Sequence, residues 1–92
     1  MDTLTRTFSA NLRAIRLNQK LSQQDLASRA KLSVSYVSML ERGERSPPFP
    51  TLSAVAKALR VHPTYLLQEL ALGKKLPKDL RARARAKRAA LR

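Results

Sequence analysis

The stretch from Leu21 to Gly43, LSQQDLASRAKLSVSYVSMLERG, leaves this chain few options, because it spells two short helices around a tight turn. Ser22 carries a hydroxyl that can accept a bond from an orphan amide. Asp25 follows three positions later in the positively polarised first turn, an arrangement close to a capping box. Leu26 and Ala30 then share one face, with small Ala27 beside them where another helix can approach. A helix this short holds only by packing.

Helical periodicity breaks at Lys31-Leu32-Ser33, and Ser33 is a second N-cap. The spacing therefore predicts a new helix from Val34 to about Arg42, stopped by Gly43. Val37 and Leu40 form its buried pair. Val34, Ser35, Ser38, Met39 and Arg42 are left facing outward, a mix of hydroxyls, short apolar groups and one guanidinium. Such a face suits a nucleic-acid groove, and the segment is a helix-turn-helix.

Charge points the same way. Among 92 residues, 19 Lys and Arg stand against 6 Asp and Glu, a formal net charge of +13. A chain of this length allows one domain. Aromatics make up only 4%, so the core must be Leu, Ala and Val from packed helices, and the expected class is all-α. A sequence pI near 11.6 favours polyanions, either nucleic acids or anionic membrane surfaces. The membrane is the weaker candidate, since no apolar run approaches the roughly 20 residues that span a bilayer. Met1-Asp2-Thr3 lacks the charged-then-apolar pattern of a secretory signal. The absence of cysteine excludes disulfides and thiolate metal sites and suits a reducing cytoplasm, the expected location.

Along the chain, a first helix is expected from about Thr5 to Gln19, with Phe8, Leu12, Ala14 and Ile15 inward and Arg6, Arg13, Arg16 and Lys20 outward. Glu44 to Pro50 is a proline-rich loop that cannot continue a helix, and Phe49 is expected to plug into the core. A fourth helix should begin near Thr51, its Leu52, Val55, Ala56 and Leu59 at helical spacing. Val61-His62-Pro63 then breaks into a fifth, Thr64 to Leu72. Leu66, Leu67, Leu70, Ala71 and Leu72 wrap more than one face of that helix, more apolar surface than one core contact needs. A second copy of the chain is expected to cover Leu66, Leu67 and Leu70.

Composition shifts abruptly at Gly73, which divides a core of residues 1–73 from a basic tail of residues 74–92. From there on, nine cations face Asp79 alone. Ala, Leu and Arg favour helix and Pro77 could open one, so the tail is expected to be mobile or marginally helical. A run of charge is often a mere solvated appendage. Attached to a DNA-binding core, each cation that neutralises a phosphate would add affinity without sequence information. His62 has no Cys, His or carboxylate partner at ligand spacing, and only two glycines occur, so no phosphate loop, metal site, cofactor or catalysis is expected.

Residues from about Phe8 to Leu72 resemble the phage repressor and Cro-like helix-turn-helix family. Four marks carry the likeness: Gln23 after the cap, Leu26-Ala27 in the first motif helix, Glu41-Arg42-Gly43 closing the second, and Pro50-Thr51-Leu52 through Ala56-Lys57-Ala58-Leu59. The resemblance implies a compact five-helix lambda-repressor-like domain that binds double-stranded DNA. It implies that Gln23 holds a backbone phosphate, with Arg42 and Arg45 holding phosphates at the end of helix 3. Val34, Ser35, Tyr36, Ser38 and Met39 would lie nearest the base edges, and Arg42 is the one evident partner for guanine. It also implies an internal ion pair between Arg16 and Glu41.

Two departures from the family pattern bear on mechanism. The reading face offers no Gln or Asn for bidentate adenine recognition, so DNA shape and flexibility should contribute to specificity. Lys31 stands where the family often has glycine, and a left-handed conformation there would cost on the order of 1 kcal/mol. SYVSMLERGER is further similar to the restriction-modification controllers. The expectation is a small prokaryotic or phage transcriptional regulator that acts as a homodimer on a roughly palindromic operator. Two alternatives stay open: an antitoxin-type autoregulator that binds a protein partner through its tail, and an architectural DNA binder of low specificity.

Overall fold

Three helices begin where the sequence offers a side-chain oxygen. In the computed structural model, which describes residues 2–69, Asp2 accepts from the Thr5 amide at 2.6 Å and opens α1, Thr3–Asn18. Ser22 and Asp25 close a reciprocal capping box, each taking the other's backbone amide at 2.9 Å, and open α2, Gln23–Ala30. Ser33 accepts from the Tyr36 amide at 3.0 Å and opens α3, Val34–Glu41.

The fourth helix, α4, spans Phe49–Leu59 and has no side-chain cap. It starts ahead of the expected Thr51 because Pro50 fits the first turn of a helix, where its missing amide would have had no partner. That early start corrects the expectation for Phe49. Its ring leaves the first turn on the outer side and is 83% exposed, while Leu52, one turn on, fills the core.

The four α-helices of the described residues end alike. After each, one residue turns left-handed and the next amide reaches back to a carbonyl five residues earlier: Leu21 to Arg16, Leu32 to Ala27, Glu44 to Met39 and Val61 to Ala56, at 2.9–3.1 Å. This is the Schellman closure, in which a left-handed residue satisfies the orphan carbonyls of the last turn. Gly43 adopts it at φ 75°, as glycine does freely. Lys20, Lys31 and Arg60 adopt it at φ 58–59° despite carrying a Cβ. In each of these three, the following residue, Leu21, Leu32 or Val61, packs against the core, and the cation faces the negative end of the helix dipole.

Phe8 and Leu12 from α1, Leu26 from α2, Val37 and Leu40 from α3, and Val55 and Leu59 from α4 form the core. Each is at most 1% exposed, so the helices meet over one apolar centre. The α1 face is broader than its apolar spacing suggested: Thr5, Thr7, Ser9, Asn11 and Arg16 are also buried, while Ala14 and Ile15 are only half-buried.

The expected fifth α-helix is instead a 3-10 turn, Pro63–Leu67, leaving Gln68 in extended backbone at φ −96°, ψ 153°. The cause is Asn11, fully buried on α1. Its side-chain amide donates to the carbonyls of Tyr65 at 3.3 Å and Leu66 at 3.0 Å, and to that of Gln68. Carbonyls that would accept the bonds of a continuing α-helix are thus diverted. Leu66 is fully buried against this chain's own core, which corrects its expected place in an interface between copies. Leu67 is half-buried. Leu70, the domain boundary at Gly73 and the basic tail lie outside the described residues.

Candidate nucleic-acid interface

The eight residues of α3 make a rod about 12 Å long, a match for the width of the B-DNA major groove. Val37 and Leu40 anchor it on the core, both fully buried. The opposite side presents Val34, 43% exposed, and Ser35, exposed, with Ser38 and Met39 half-buried beside them. Tyr36 is half-buried and packs its ring against the core cluster, so it belongs as much to the support of the helix as to its outer face.

A buried clamp fixes the orientation of that rod. Arg16 from α1 grips the Glu41 carboxylate with two bonds, Nε to Oε2 at 2.6 Å and Nη2 to Oε1 at 3.0 Å. Its remaining Nη1 donates to the Leu21 carbonyl at 2.7 Å, ahead of α2. Gln23, on the first turn of α2, adds Nε2 to Oε1 of Glu41 at 3.1 Å. One carboxylate on α3 therefore holds groups from both other helices, and bonding to Glu41 raises the Arg16 pKa above its ordinary value. The two side chains are only 8% and 3% exposed, so both charges are paired away from water. Helical periodicity alone put Arg16 on the outer face, whereas the family resemblance implied an internal pair with Glu41; the structure has that pair, buried.

Gln23 is thereby positioned at the entrance of α2. One hydrogen of its amide nitrogen is taken by Glu41, and the second is available to an acceptor outside, next to the free amides of the helix's first turn.

The other end of α3 carries an exposed network. Arg42 donates from Nε to Glu44 Oε2 at 2.5 Å and from Nη2 to Oε1 at 3.4 Å, and its Nη1 donates to Ser38 Oγ. Bonding to Arg42 holds the Glu44 carboxyl below the usual range. Two residues expected to read bases, Ser38 and Arg42, are thus bonded directly to each other, and the Glu44 carboxylate holds the other side of the Arg42 guanidinium. Arg45 is exposed in the loop that follows, and that loop is pinned to α1 by a 2.7 Å bond between Ser46 Oγ and Thr5 Oγ1. His62 caps the 3-10 turn, with its Nδ1 2.8 Å from Thr64 Oγ1. Among the described residues there is no His, Cys, Asp or Glu cluster able to hold a metal ion, and no helix is long and apolar enough to cross a membrane.

This assembly, a rigid polar rod held by an Arg–Glu clamp behind a capped helix, coincides with a family profile described as Helix-turn-helix, which matches residues 12–66. The chain belongs to the Cro/C1-type helix-turn-helix family. It is 40% identical over 63 residues to the immunity repressor protein of Bacillus phage phi105, covering 68% of this chain and 44% of the repressor. It is 36% identical over 67 residues to control protein C.BamHI of Bacillus amyloliquefaciens, covering 72% of this chain and 83% of that protein. Among solved structures, the restriction-modification controller C.Esp1396I, as a tetramer in complex with its natural 35 base-pair operator, superposes with a TM-score of 0.68. That match is at 29% identity and covers 72% of this chain and 87% of the controller chain. The chain spans half or less of the length of the first curated relatives it matches.

The residues that sequence reasoning missed are polar. Asn11 lies at a core-facing helical position, and its four-residue spacing from Ile15 was the available signal. The cation–apolar pairs Lys20-Leu21 and Arg60-Val61 repeat the pattern of Lys31-Leu32 and mark helix ends as clearly as Gly43 does.

Proposed function

We propose that this chain is a transcriptional regulator that binds operator DNA as a homodimer, with one α3 in the major groove of each half-site. The observation that carries the reading is the three-helix clamp on Glu41, which presents the outer face of α3 as a rigid unit. Val34 and Met39 suit thymine methyl groups, and Ser35 and Ser38 can donate to or accept from base edges. Arg42 reads guanine or holds a phosphate once it exchanges the Glu44 carboxylate for DNA. Gln23 and the first amides of α2 take one backbone phosphate, and Arg45 takes another. The basic run from Lys74 onward adds contacts without sequence information.

Pairing is supported by exposed apolar surface beside the 3-10 turn. Leu4, Phe49 and Leu67 border one cleft, and Leu4 and Phe49 are among the large apolar side chains most exposed on the described residues. The similar controller C.Esp1396I occupies its operator as a tetramer. Two linked copies read half-sites about one helical turn apart, which raises affinity over competing genomic DNA.

Selection of bound sequences from a random duplex pool tests the reading. It should return two inverted half-sites, and replacing Ser35, Ser38 and Arg42 together by alanine should abolish the preference while leaving the fold intact by circular dichroism. A pool with no enriched sequence would exclude the proposal. Sedimentation velocity of Leu67→Asp should show monomers if this apolar surface joins the copies.

A further inference from the structure

The C-terminal ends of α2 and α4 converge on an open cleft of about 630 Å³ floored by Ala54 and Ala58. Its rim carries four exposed cations: Arg29 and Lys31 from the end of α2, Lys57 and Arg60 from the end of α4. No carboxylate lines it, and no ion pair among the described residues involves any of the four. Asp25, one turn ahead of Arg29, has its carboxylate bonded to the Ser22 amide. Each cation alone complements the negative end of its helix dipole. Convergence of the two helix ends, however, gathers four positive charges into one concavity that no carboxylate lines, with Asp25 near enough to act on Arg29 alone. Lys31 and Arg60 hold their places in left-handed conformations, at φ 59° and 58°, that glycine adopts without penalty.

We propose that this cleft binds backbone phosphates of the duplex that flanks the half-site, at the opposite end of α3 from Arg42 and Arg45. The inference rests on the reading that α3 lies in the major groove. Lys31 stands three residues before Val34, the first residue of α3, whereas Arg42 directly follows its last, Glu41. A phosphodiester strand borders the groove on each side, so a rod that carries cations at both ends meets phosphates at both. Arg29 and Lys31 form the near rim, and Lys57 and Arg60 extend it along the duplex. Contacts of this kind set register and affinity and carry no sequence information.

The test is salt dependence. The selected operator is prepared as a minimal duplex and as one extended by about ten base pairs at each end, one helical turn of B-DNA. Binding of the full chain and of the Lys57→Gln/Arg60→Gln variant is then measured against salt concentration. Each phosphate contact contributes about 0.9 to the slope of log affinity on log salt, so loss of two contacts should reduce the slope by roughly 2 on the extended duplex. The variant should lose affinity by the same factor for operator and random DNA, leaving the preference between them unchanged. Lys57→Arg/Arg60→Lys should restore both slope and affinity.

An unchanged slope on the extended duplex would overturn the proposal, and competition by polyglutamate at that unchanged slope would assign the cleft to an acidic protein surface instead. If wild-type protein shows no preference for operator over random DNA, the groove reading itself fails. If the preference stands and the slope does not move, the failure belongs to the cleft alone.

Discussion

Two arginine–glutamate pairs bracket the end of α3, of the same chemistry and nearly the same separation, 2.6 Å for Arg16–Glu41 and 2.5 Å for Arg42–Glu44. The side chains of the first are 8% and 3% exposed, and those of the second 57% and 49%. Burial separates their roles. Water and salt compete freely for the outer pair, so Arg42 can exchange Glu44 for a phosphate or a guanine edge. The inner pair cannot be exchanged, because either charge left alone would sit in the core without solvation. Specificity of orientation therefore resides in Glu41, and adaptability at the DNA resides in Glu44.

Breaking the inner pair should give the largest effect. Glu41→Ala leaves Arg16 charged and buried, and Gln23 loses its acceptor, so stability should fall by about 3–5 kcal/mol in urea denaturation. Removing both charges sharpens the point. Arg16→Met/Glu41→Leu should recover most of that loss, since an apolar pair of similar volume needs no counter-charge. If the double variant is as unstable as Glu41→Ala, lost packing rather than a stranded charge explains the result.

A neutral buried group separates burial from charge. Asn11→Ala removes the side-chain bonds to the carbonyls of Tyr65 and Leu66 and should lower stability by about 1–3 kcal/mol, less than loss of Glu41. Amide exchange should accelerate most in residues 63–68, where those contacts hold the 3-10 turn. Uniform acceleration would show that the turn does not depend on Asn11.

The outer pair should move stability least and DNA binding most. Glu44→Gln should leave the denaturation midpoint at neutral pH within measurement scatter, and it should raise affinity for operator and random duplex several-fold by freeing Arg42 and removing an anion from the interface. Because the folded-state pKa of Glu44 lies below its ordinary value, its contribution is complete above about pH 5 and is lost as pH falls through the lowered value. Asp2 and Asp25, both lowered mainly by bonds to backbone amides of Thr5 and Ser22, follow the same sign. Glu44→Gln should therefore make the acid limb of the stability curve slightly shallower, with the two caps still titrating.

Much of the fold is legible in short stretches of sequence, and particular residues show why. Ser22 with Asp25, Ser33 and Gly43 act on amides and carbonyls within five residues, so their effect can be read without knowing the rest of the chain. The same locality made Val37 and Leu40 recognisable as the buried side of α3, and so identified the outer face. Phe49 was misjudged because hydrophobicity alone does not say on which side of a first turn a residue emerges. The start of α4 two residues before Thr51 decided that.

Sequence alone determined where α2 and α3 begin and end, which face of α3 is outward, and that the chain is strongly cationic, since each follows from side-chain type and neighbours a few positions away; α1 instead starts at Thr3, two residues before the expected Thr5, because Asp2 caps it. Only the tertiary structure decided that Asn11 would stop a fifth helix 54 residues downstream, that Gln23 would join the Glu41 clamp, and that the ends of α2 and α4 would gather four cations around one cleft. Those outcomes depend on which distant groups share a space from which water is excluded, and spacing along the chain does not encode that.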